Sequence, residues 1–147
     1  MTTFAIPCPI DSGTGGIAEH YRSTIRETGV AILQACNVCV SALWPARLRC
    51  HCGSADLVWQ PTGTNGRIVS RVRVDVPKDE WARFGVPRKM TTRLPYTTVI
   101  VEPHDWPGAR IAMLLQTSSA AEPHSDKVSL GVELDDDSVV LVAGDPR

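Results

Sequence analysis

Four cysteines fall inside a 17-residue window, as Cys36-Asn37-Val38-Cys39 and then Cys50-His51-Cys52. A segment that short cannot bury a core of its own. Two tight turns that each present a pair of thiolates can instead close on one tetrahedral zinc, with Zn–S bonds of about 2.3 Å. The pattern predicts one structural zinc per chain, held by Cys36, Cys39, Cys50 and Cys52. With four protein ligands the ion has no open position for water, so it would not be catalytic. The second pair is one residue shorter than the usual spacing, which leaves His51 or Cys8 as a substitute ligand. The competing reading is a set of reduced, buried cysteines without metal. A thioredoxin-type dithiol would need a strand-to-helix context that Cys36 and Cys39 lack. The cysteine total is five, and an odd number with no export signal favours metal over disulfides.

Composition narrows the rest. The chain has 147 residues, 43% hydrophobic and 21% charged, which is too apolar for a disordered chain and suits one domain or two very small ones. Eleven glycines and 11 prolines promise many turns and argue against a helix bundle. The net charge of -1 argues against bulk capture of nucleic acid, which needs a basic excess. The sequence has no apolar run of the roughly 18–20 residues a membrane span requires, and its first residues lack the pattern of a secretory signal. The expected setting is cytoplasmic, with no membrane partner.

Apolar residues at 17, 18, 21 and 25 have helical spacing and predict a helix over 15–27, with Ser12 or Thr14 as N-cap and Gly29 as C-cap. A short strand over 30–35 delivers the chain into the first cysteine pair. Beyond residue 57 the texture becomes strands with turn punctuation, at 67–76, 96–102, 110–115, 128–134 and 138–142. Five such strands suit a small Greek-key barrel. In the first of them, strict alternation would put Ile68, Ser70, Val72, Val74 and Val76 on a core face and Arg67, Arg71 and Arg73 on a basic outer face with Val69 and Asp75. The 77–94 segment, with Trp81, Phe84, Arg83, Arg88, Lys89 and Arg93, is long enough to suggest a functional loop. Asp135-Asp136-Asp137 reads as a solvated turn between strands, since the other ligands of a calcium loop are missing.

The order of these motifs resembles the DUF35 family. It runs from the helix and strand through Cys36-Asn37-Val38-Cys39, Trp44-Pro45-Ala46-Arg47 and Cys50-His51-Cys52-Gly53-Ser54. It continues with residues 62–70, Pro95-Tyr96, Val99-Ile100-Val101-Glu102 and Leu130-Gly131-Val132-Glu133-Leu134. The resemblance spans nearly the whole chain. It implies a mainly β protein with an N-terminal helical segment over 1–28, a rubredoxin-like zinc ribbon over 29–56 and a five-stranded OB-fold over 57–147. It also implies an accessory role beside thiolase-like, aldolase-like or hydratase enzymes that process acyl-CoA thioesters. Val40 stands where the family usually has glycine, and Ala46 replaces a second proline.

The functional expectation is a non-catalytic subunit in a hetero-oligomer with a thiolase-fold or related acyl-CoA enzyme, the nucleophile and base lying on that partner. The sequence contains no nucleophile elbow, phosphate loop or metalloprotease helix. His20, His51, His104 and His124 have no neighbour in sequence that would mark a triad, and each reads as structural or exposed. Arg47, Arg67, Arg71 and Arg73 are candidates for the phosphates of coenzyme A, because guanidinium forks bind phosphate oxygens bidentately. Solvated arginines paired with nearby carboxylates are the plainer alternative. Trp44 and Trp81 are candidate partner contacts, against the usual fate of a tryptophan as core. Single-stranded nucleic-acid binding through ribbon and barrel is the second class of function. Sparse aromatics weigh against it, as only Trp59 and Tyr96 fall near the strands. Cys8 as a nucleophile has no base assigned beside it.

Overall fold

The computed structural model describes residues 4–9, 16–74, 96–116, 126–134 and 138–146. Trp81 and the 77–94 segment, Asp75, Val76, His124 and Asp135-Asp136-Asp137 lie outside them.

The described residues form one helix and two sheets. After β1 (Ile6–Pro7) comes α1 (Gly16–Thr28), then β2 (Ile32–Cys36), β3 (Ala42–Leu43) and β4 (Leu57–Pro61). These strands make an antiparallel sheet in the order β1-β4-β2-β3. Every residue of β2 is buried, as expected for a strand paired on both sides and covered on both faces. α1 lays Thr24 and Ile25 into the core. It ends at Gly29, whose φ of +71° suits a residue without Cβ and whose N–H closes on the Ile25 carbonyl at 2.7 Å. The helix is fastened to the sheet through the fully buried Trp59 of β4. The indole N–H donates to His20 Nδ1 at 2.8 Å, and the Tyr21 ring tilts against the indole at 5.4 Å. Tyr21 in turn donates its hydroxyl to the Ile32 carbonyl, and burial pushes that phenol up to about 12 against a lowering hydrogen bond with Trp44.

The second sheet is a closed barrel of β5 (Asn65–Val74), β6 (Tyr96–Pro103), β7 (Ile111–Leu115), β8 (Lys127–Leu134) and β9 (Val139–Gly144). Its ring order, β5-β6-β7-β9-β8, with β7 and β9 parallel, is that of an OB-fold barrel. Ile68, Val99, Val101, Ile111, Met113, Val128, Leu130, Leu141 and Ala143 are buried in it. Leu57–Pro61, which the sequence pattern grouped with the barrel region, pairs with β1 and β2 in the first sheet.

The alternation expected along β5 fails at a β-bulge. Ile68 pairs with Val101, but the next matched pair is Ser70 with Ile100, so Val69 is an extra residue. One inserted residue inverts the parity of everything after it. Arg71 therefore pairs with the fully buried Val99, while Val72 turns outward and is 60% exposed. The face that strict alternation assigned to core loses Val72, and Arg71 leaves the side occupied by Arg67.

Candidate metal centre and its surroundings

The first cysteine pair sits where β2 runs out. Cys36 donates its N–H to the Ser41 carbonyl, and the Val40 N–H returns to the Cys36 carbonyl at 3.0 Å, closing a tight knuckle. Asn37 ties that knuckle to the second, through its N–H to the Asp56 carbonyl and its side-chain amide to Asp56 Oδ1 at 3.0 Å. Val40 takes φ +63°, a left-handed conformation that costs a β-branched side chain but is open to glycine. The second knuckle closes through Cys50 N–H to Ser54 and Gly53 N–H to Cys50, both 2.9 Å, with Gly53 at φ +92°.

The two turns bring Cys36, Cys39, Cys50 and Cys52 together, with all four Sγ atoms within 4.8 Å of one another. Cys36 and Cys52 are 3.7 Å apart and Cys39 and Cys50 3.4 Å. A ZnS4 tetrahedron with bonds of about 2.3 Å has edges of about 3.8 Å, so the cluster is sized for zinc even with the shortened Cys50-x-Cys52 spacing. The electrostatics point the same way. The Ser41 hydroxyl, 3.2 Å from Cys39 Sγ, and the Ser41 backbone bring Cys39 down to about 6. The Cys39 backbone lowers Cys36. For Cys50 the Cys52 backbone favours the thiolate, but burial and the adjacent sulfurs outweigh it and push the thiol up to about 12. Four crowded sulfurs cannot all be anionic without a cation among them, and a divalent metal removes that conflict.

The substitute ligands stay outside the cluster. His51 is exposed, its Nδ1 3.6 Å from Cys50 Sγ. Cys8 is buried beside Gln34 Nε2, and burial raises its thiol to about 11 against that hydrogen bond, which keeps it protonated near neutral pH. Gln34 itself gave no signal in the sequence. It is 1% exposed, and its amide clamps the backbone of Arg47 from both sides, accepting from the N–H at 2.8 Å and donating to the carbonyl at 2.6 Å. A polar residue this deep is tolerable because both ends of its amide are satisfied.

The candidate arginines are dispersed. Arg67 donates to Glu102 Oε1 at 2.9 Å, and Arg110 reaches the other oxygen of Glu102 at 2.6 Å. With Arg110, the Gly108 N–H and Arg67 all on it, Glu102 is held down to about 2. Arg71 pairs with Asp126 at 3.2 Å and carries a buried Nη1 without a hydrogen-bond partner, while Arg73 is also engaged. Arg47 is exposed on the ribbon, its backbone held by Gln34. Trp44 is partly buried against the core.

Fold and cysteine cluster together define a ribbon-plus-OB-fold protein, mainly β, with four thiols placed for a structural zinc. A solved chain of the "Ltp2-ChsH2(DUF35) aldolase" has the same fold, with a TM-score of 0.62 at 21% identity over 83% of this chain and 89% of that one. The chain thus has the fold of a DUF35 protein, as the order of its motifs implied. No family model and no curated protein matches the sequence. Among the described residues, no helix is long and apolar enough to cross a membrane.

Proposed function

We propose that this chain is a non-catalytic accessory subunit that docks on an aldolase-like or thiolase-like enzyme and supports its conversion of acyl-CoA thioesters. The observation that carries the reading is the fold match, which covers most of both chains and is to a DUF35 component of an aldolase. The thiol cluster supports a structural role for metal, since Cys36, Cys39, Cys50 and Cys52 would fill all four positions of zinc. Zinc bound there would supply folding free energy to the ribbon and no Lewis-acid step.

In this reading the helix and ribbon lie against the partner, and thiolysis, retro-aldol cleavage or acyl transfer takes place on the partner's residues. Exposed apolar side chains support a docking role: Val38 is 65% and Val40 75% exposed at the first knuckle. Trp44 and Trp81 would add contacts. Arg47, whose guanidinium has no ionic partner among the described residues, is the candidate best disposed to meet a coenzyme A phosphate. Arg67 and Arg71 could do so only by sharing with Glu102 and Asp126, and Arg73 is the fourth candidate. A localisation in the cytoplasm fits this role.

The test is affinity purification of the tagged chain from its native host, with whatever co-purifies in near-stoichiometric amount identified by mass spectrometry. An acyl-CoA aldolase or thiolase-fold enzyme is the expected partner. Nucleic acid alone would overturn the reading in favour of a single-stranded nucleic-acid binder.

A further inference from the structure

Between the ribbon sheet and the barrel opens a cleft of about 960 Å³, within the size range of small-molecule sites. Its walls are tied to each other by hydrogen bonds. The Trp106 indole donates to the Pro61 carbonyl at 3.0 Å, Thr62 N–H to Ala31 at 3.0 Å, Leu130 N–H to Thr64 at 2.8 Å and His104 N–H to Asn65 at 2.9 Å. The cleft is therefore already shaped before anything enters it. Phe4, Pro61, Trp106 and Leu130 give it an apolar lining.

Its charge is distinctive. Among the described residues no lysine or arginine lines it, and the exposed Asp105 is the only formally charged one, with His104, also exposed, the one other titratable group. The Asp105 carboxylate accepts no hydrogen bond and makes no ion pair among the described residues. It lies against Gly63, where an added Cβ would fall 2.3 Å from Oδ2, so the glycine makes room for the carboxylate. Gly63 also has φ +83°. A carboxylate in this position disfavours phosphates and carboxylates and favours a cation.

We propose that this cleft binds a small molecule with an apolar body and a protonated amine, the amine on Asp105 and the body among Phe4, Trp106 and Leu130. The site is separate from any thioester binding, whose phosphates it would reject, and does not depend on the accessory-subunit reading.

The test is an NMR titration of the full chain with three matched probes, 4-phenylbutylamine, 4-phenylbutanol and 4-phenylbutyrate, following the Trp106 indole N–H and the Leu130 methyls. The amine should saturate both signals and bind about tenfold more tightly than the carboxylate, with the alcohol between them. Asp105→Asn should erase the advantage of the amine over the alcohol while the rest of the spectrum stays in place, and Leu130→Phe should weaken all three probes. Equal binding of amine and carboxylate, or no saturable change at Trp106 up to millimolar amine, would overturn the assignment. Loss of partner assembly in Asp105→Asn would overturn it as well, by giving the cleft to a basic side chain of the partner.

Discussion

The two sheets of this protein are built on different principles. The barrel closes its own hydrogen bonding and encloses a row of inward aliphatic side chains, from Ile68 and Val101 to Leu141 and Ala143. The ribbon sheet has four strands of two to five residues, two of them at its edges. It draws its order from outside the ladder: a helix pinned through Trp59, the Gln34 clamp and the thiol cluster. A closed barrel can stand on burial alone, whereas a short open sheet needs staples. Loss of a staple should therefore be felt in one region and not the other.

The largest effect is expected from the cluster. Cys36→Ser, or chelation of zinc from protein that carries it, should abolish amide protection in β2 and β4 while β6 and β7 keep theirs, as read by hydrogen exchange; uniform loss would mean one cooperative unit. Because the ligands bind metal as thiolates, occupancy should fall as pH drops and protons compete for the sulfurs. Next is Trp59→Ala, which removes a fully buried indole and should cost about 3–5 kcal/mol by denaturant melt, with the helix signal lost first in circular dichroism. Gln34→Ala should cost about 1–3 kcal/mol by leaving the Arg47 N–H and carbonyl unpaired. Val40→Gly runs the other way, relieving the left-handed strain for a gain of about 1 kcal/mol; no rise in melting temperature would remove the strain argument.

The smallest effect belongs to the barrel surface. Glu102 ionises more readily in the folded chain than its ordinary value of 4.5, down at about 2. Its stabilisation is complete above pH 4.5 and lost as pH falls toward 2. Glu102→Gln should lower stability at neutral pH and flatten the acid limb of the stability curve in that window. An acid limb unchanged from the parent would show that Arg67 and Arg110 do not hold the carboxylate as described.

What was legible in the sequence follows from the range of the forces involved. The helix appears at Gly16–Thr28 against an expected 15–27, because helical spacing and a C-cap glycine are local signals. All five barrel strands appear near their expected places, marked by β-branched runs and turn residues. The cysteine quartet was readable because metal chemistry fixes its residue types. The bulge at Val69 was not, since nothing in Ile68-Val69-Ser70 distinguishes an extra residue from an alternating one; the partner strand decides it. Gln34 was equally silent, because its value depends on a backbone 13 residues away. The pairing of β4 with β2, and the capture of Arg67 by Glu102 across 35 residues, are likewise products of topology.

In the proposed function the chemistry belongs to a partner enzyme and this chain enables it. Acyl-CoA thioester turnover should be measured with the purified partner alone, this chain alone and the two together. The prediction is no turnover by this chain and restored or markedly faster turnover by the pair. Turnover by this chain alone, or a partner fully active without it, would rule out that role.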